Sequence, residues 1–231
     1  MENIVIIILL LFTISILAFI FRINLKKAKE LQDNKELEKI TDKFPENVEV
    51  AKEMLEMLGN KGVAIEEAKD TQTSLYIAVT NKISIADMKN NYARIQTIAH
   101  ECLHSCQDRV LLLFNFIFSN VNLMYFILIS IFTIFKLINN QVLQVAILLL
   151  FMLIQFSVRS FLEIDAMTRS RFFAKEYIEK KNLISKKEQE KLLEQYKKIN
   201  EAGIPFTIWN LILIGSVRII IYCVICLIVK L

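Results

Sequence analysis

Residues 100–135 read HECLHSCQDRVLLLFNFIFSNVNLMYFILISIFTIF. The stretch opens on a pair of histidines and closes on 26 residues, Val110 to Phe135, that carry no charge. A helix of that length covers about 39 Å, more than the roughly 30 Å of bilayer hydrocarbon. Three further runs have the same character: Ile4 to Phe21, Gln141 to Val158, and Phe206 to Val229, the last interrupted once by Arg218. With 55% hydrophobic residues, two prolines and four glycines, the 231-residue chain has the composition of a multi-span membrane protein. The expected fold is a mainly α membrane protein with four transmembrane helices.

Charge orients these spans. Of 28 Lys and Arg residues, 25 fall in two segments, Arg22 to Arg109 and Arg159 to Lys198. The positive-inside rule makes both segments cytoplasmic and puts the N-terminus and the Asn139-Asn140 hairpin outside a multi-pass cell-membrane protein. Residues 1–22 then form the first transmembrane helix, 23–109 a cytoplasmic segment, 110–158 a transmembrane hairpin, 159–205 a second cytoplasmic segment, and 206–231 the last transmembrane helix. The first run has no leading positive charge and no small-x-small cleavage site, so it reads as a retained anchor. The net charge of +4 comes without any basic cluster interleaved with aromatics, which argues against nucleic acid and leaves the lipid bilayer as the general partner. Cys102 and Cys106 fall in the reducing compartment and Cys223 and Cys226 inside the last span, so no disulfide framework is expected.

Lys26 to Lys43 reads as a charged helical connector, and Phe44 to Leu58 as a short amphipathic helix with Pro45 near its start and Gly59 past its end. Val63 to Ile65, Leu75 to Thr80 and Ile83 to Ile85 are β-branched or aromatic runs that predict a small β-meander on the cytoplasmic side. From Asn91 the pattern is helical through the histidines and runs on without Pro or Gly into the second span. Ser185 with Glu188 forms a capping box for a helix expected to end near Gly203, with Pro205 opening the last span.

His100 and His104, the only histidines in the chain, bracket Glu101 as H-E-x-x-H. Four residues apart on a helix, both imidazoles face one Zn²⁺, and Glu101 lies beside it as a general base. A catalytic zinc needs three protein ligands, and no third histidine exists. Helical rotation of about 100° per residue turns Cys102 and Cys106 by roughly 120–160° from the histidine face. The third ligand is therefore sought among carboxylates, and the cytoplasmic exit of the third span supplies Glu163 and Asp165.

The segment His100 to Gln107, HECLHSCQ, followed after a hydrophobic hairpin by Glu163-Ile164-Asp165-Ala166, resembles the bacterial membrane-bound neutral zinc metallopeptidases. Their pattern is H-E-x-G-H-x-x-Q and then, beyond membrane helices, E-F-D-A-S. More distantly it is similar to heat-shock and CAAX-processing membrane zinc proteases. The resemblance implies a gluzincin-like catalytic helix, His100, His104 and Glu163 as zinc ligands, and Glu101 as base. It makes Asp165 a carboxylate that orients a histidine, although Arg169 at helical spacing also gives Asp165 the character of a solvated charge. Peptides or membrane proteins are the implied substrates. Leu103 stands where the family has glycine and Met167 where it has serine, and Leu103 favours the alternative of a non-catalytic zinc-binding membrane interaction protein.

Three supporting expectations concern substrate. Leu75 to Thr80 is either an ordinary piece of sheet or an edge strand that receives a peptide. Tyr76 and Tyr92 are candidates for a hydrogen bond to a developing oxyanion. In a straight continuation of the motif helix, Asn115, Ser119 and Asn122 fall on the histidine face, either lining a groove for a membrane-inserted substrate or bonding neighbouring helices.

Overall fold

The computed structural model describes residues 2–24, 26, 34–68, 71, 73–88 and 91–230. Among these, seven helices and one three-stranded sheet form: α1 (Glu2–Ile20), α2 (Lys35–Thr41), α3 (Asn47–Met57), β1 (Ala64–Ala68), β2 (Leu75–Ile77), β3 (Lys82–Ala86), α4 (Arg94–His104), α5 (Arg109–Ile134), α6 (Gln141–Lys181) and α7 (Lys186–Lys230). Residues 27–33 of the charged connector lie outside the described residues. The chain divides into two compact units, one of Met1–Ile23, Phe114–Phe161 and Pro205–Leu231, the other of Asn24–Leu113 and Leu162–Ile204.

In the first unit, parts of α1, α5, α6 and α7 carry the apolar runs, and all four helices are long and apolar enough to cross a membrane. Their large side chains point outward: Phe12 is 62% exposed, Phe19 84% and Leu153 58%. Between the helices, Ile129, Val145, Leu148, Ile219, Tyr222, Cys223 and Cys226 form an apolar cluster. Ser119 and Asn122 each bond a polar side chain of α6. Asn122 Nδ2 donates to Gln155 Oε1 at 2.6 Å, and Gln155 Nε2 donates to Ser119 Oγ at 3.0 Å. Of the two readings of the Asn115, Ser119 and Asn122 stripe, Ser119 and Asn122 follow the one in which the polar groups tie helices together.

The second unit is built around α4. Its Ile95, Ile98, Ala99, Cys102 and Leu103 are at most 2% exposed and join Val50, Ala51, Met54 and Leu55 of α3 in one core. The amphipathic spacing in α3 produces that buried face, and Gly59 follows it at φ +69°, the left-handed conformation expected one residue past a helix end. The capping box forms as read: Ser185 N–H donates to Glu188 Oε2 at 2.8 Å and Glu188 N–H to Ser185 Oγ at 3.3 Å.

Three expectations are corrected. The sheet is not a meander: its order is β1-β3-β2, with β1 parallel and β2 antiparallel to β3. The apolar strand takes the centre, since Ile83 and Ile85 are buried, while β1, with Glu66 and Glu67, takes an edge where its charges reach solvent. Second, the motif helix does not run into the next span. It ends at His104, and α5 starts afresh at Arg109. Ser105 Oγ bonds back to the Cys102 carbonyl at 2.6 Å, and Asp108 Oδ1 accepts the Leu111 N–H at 2.8 Å, so each side chain ends or begins a helix by competing for backbone groups. Third, no break occurs at Gly203 or Pro205; α7 is continuous through both. A Cβ at Gly203 would lie 2.9 Å from Met167 Cε, so this glycine serves close approach between α6 and α7 rather than a helix end. Pro205 forgoes one helical bond, to the carbonyl of Glu201, an exposed residue.

Candidate metal centre

Burial of the opposite face of α4 leaves His100, Glu101 and His104 directed away from the α3 core, and α6 brings Glu163 to them. His100 Nε2 lies 3.0 Å from His104 Nε2; Glu163 Oε2 lies 3.5 Å from the first and 3.7 Å from the second. Ligands at 2.0–2.1 Å from a tetrahedral zinc are spaced by about 3.3 Å. The three edges bracket that value, so the residues present fit a zinc ion and could hold one. The imidazole planes stand at 85° to each other.

The local field favours a cation. Burial pushes the Glu163 carboxyl up, but both imidazoles facing it outweigh this and hold it well below the usual carboxylate range. Burial alone would lower the His104 pKa; Glu163, Glu101 and Gln107 overcome it and raise it. Cys102 is fully buried in the α3 core and its thiol is pushed up by that burial, which removes it from the ligand set.

His104 is oriented from behind. Gln107 Nε2 donates to the Leu162 carbonyl at 2.8 Å and to Asp165 Oδ2 at 2.9 Å, so its Oε1, 2.8 Å from His104 Nδ1, must accept. Nδ1 therefore carries the proton and Nε2 presents its lone pair to the site. Asp165 does not touch a histidine: it accepts from Gln107, and it lies 3.5 Å from Arg169. The bridging role of Gln107 was missed from sequence, although its place three residues after His104 was the visible clue. Gln107→Ala is expected to weaken zinc binding by about 10–100-fold, measured by competition with a chelating dye. An unchanged affinity would show that ring orientation does not depend on this bridge.

Glu101 is 6% exposed, and its Oε2 accepts the Tyr76 backbone N–H from β2 at 2.7 Å. Burial raises its pKa, against the lowering influence of the two histidines and of the Tyr76 amide. Tyr76 is thus at the site through its backbone, while its hydroxyl donates to Asn81 Oδ1 at 2.8 Å within its own hairpin. Tyr92 is not brought to the site: it is 1% exposed in the core, where its carbonyl accepts from the Tyr196 hydroxyl. Leu103 is also absorbed by the core, 2% exposed.

A family model described as "Putative neutral zinc metallopeptidase" matches residues 4–199 of the chain. No curated protein and no solved structure gives a significant match.

Proposed function

Because the chain belongs to the neutral zinc metallopeptidase family, we propose that it is a membrane-embedded zinc endopeptidase that cleaves peptide bonds at the cytoplasmic membrane surface. The observation that carries this reading is the convergence of His100, His104 and Glu163 on one metal-sized space with Glu101 buried beside it. His100, His104 and Glu163 would hold zinc, which supplies Lewis-acid polarisation of a carbonyl and acidifies water. Glu101 would accept the proton of the attacking water as the C–O bond forms and hand it to the amine as the C–N bond breaks. A carboxylate whose pKa is raised by burial is a better base for that transfer near neutral pH. Asp165 and Gln107 would hold His104 in the ligating tautomer.

Embedding in the cell membrane is supported by the four long apolar helices, and the cytoplasmic placement of the site by the Lys and Arg asymmetry. A peptide, or an exposed segment of a membrane protein, would be received along the edge strand β2, next to Glu101. Packing of Leu103 into the core supports this reading over a non-catalytic one, since the leucine is accommodated away from the ligands. Removing zinc from the full-length protein in detergent is expected to abolish cleavage of a membrane-protein substrate, and adding zinc back to restore it. Cleavage that persists in fully zinc-depleted protein would rule the reading out.

A further inference from the structure

Within the first unit, a cavity of about 160 Å³ lies between α6 and α7. Its walls include Met152, Gln155 and Arg159 of α6 and Leu211, Gly215 and Arg218 of α7. Gly215 makes it part of a close helix contact, since a Cβ there would fall 2.3 Å from Met152 Cγ. Two guanidinium groups thus line one small space.

Charge balance makes this arrangement unusual. Arg218 stands in the middle of an apolar run, where a lone cation is costly and normally paired. None of the four apolar runs contains an Asp or Glu. Gln155, the other strongly polar wall residue, is already engaged: its Oε1 accepts from Asn122 and its Nε2 donates to Ser119. Helical side chains tilt toward the helix N-terminus, which on α7 carries the Arg218 guanidinium toward the level of Arg159, just beyond the end of its own apolar run. Arg159 and Arg218 thus line the same cavity, with apolar surface continuing along both helices.

We propose that this cavity binds a phosphate oxyanion, either the headgroup of an anionic phospholipid or free phosphate. Guanidinium groups present planar, forked donors that match phosphate oxygens, and an anion bound here would balance the Arg218 charge that no Asp or Glu of the apolar runs offsets. The volume, about five times that of a water molecule, admits one such group. Ile214, an exposed apolar residue of its wall, offers a path for acyl chains.

The test is calorimetric titration of full-length protein in a neutral detergent with short-chain phosphatidylglycerol, a phosphate-free glycolipid of equal chain length, and inorganic phosphate. Phosphatidylglycerol is expected to bind at least about tenfold more tightly than the glycolipid, and Arg218→Gln and Arg159→Gln each to lower its affinity by about tenfold. Should Arg218→Gln not fold, Arg159→Gln, altered at an exposed position, gives the same decision. Competition by inorganic phosphate identifies a free-phosphate site, and its absence identifies the lipid headgroup as the occupant. Equal binding of phosphatidylglycerol and glycolipid, or affinity unchanged in the arginine variants, overturns the proposal.

Discussion

The Glu101→Gln variant is expected to cleave peptide substrate at least about 100-fold more slowly than wild type while still binding zinc. Glutamine matches glutamate in shape, and its amide oxygen can still accept the Tyr76 N–H that Glu101 accepts at 2.7 Å. What it loses is the ability to take a proton. Neither histidine nor Glu163 touches zinc through Glu101, so occupancy should survive. Initial rates and zinc content measured on the same preparation separate the two properties. An unchanged rate would place the base elsewhere, and loss of zinc together with rate would make Glu101 a structural group.

The largest expected effect on stability comes from a residue that never approaches the metal. Arg94 is 1% exposed at the start of α4. Its guanidinium donates to the carbonyls of Thr41, Phe44 and Pro45 and to Asn47 Oδ1, at 2.6–3.0 Å. It thereby binds the end of α2 and the start of α3 to the helix that carries the histidines. Arg94→Ala strands several buried acceptors, each worth about 1–3 kcal/mol when left unpaired, so a loss of at least about 3 kcal/mol is expected. Arg94→Lys should recover little of it, because a single ammonium cannot reproduce the fork. Thermal unfolding in detergent reads this directly; a melting temperature unchanged by Arg94→Ala would contradict it.

The parts of this molecule legible in sequence were those set by short-range periodicity. Apolar runs long enough to span a bilayer became long helices, the i, i+4 histidines landed on one face, and Ser185 found Glu188 three residues on. Features that depend on competition between distant segments were not legible. Strand order turned on which strand could be buried on both edges, which pairing rules for neighbours in sequence do not reveal. The helix break at residues 105–108 arises from side chains bonding backbone groups, with Gln107 turned back to His104 and Asp165. A straight-helix extrapolation could not contain it. Likewise Gly203 and Pro205 carried a helix-end pattern, yet contact with Met167 explains the glycine and the helix absorbs the proline.

The central claim is that His100, His104 and Glu163 together hold one zinc ion, and the zinc affinity of Glu163→Ala tests it most directly. Glu163 stands 3.5 Å and 3.7 Å from the two imidazole nitrogens and comes from a different helix, so its removal leaves only a two-histidine site. Wild type is expected to carry one zinc per chain, and Glu163→Ala to bind it at least about tenfold more weakly while remaining folded. Wild-type protein without zinc, or a Glu163→Ala variant that keeps wild-type affinity, would contradict the account.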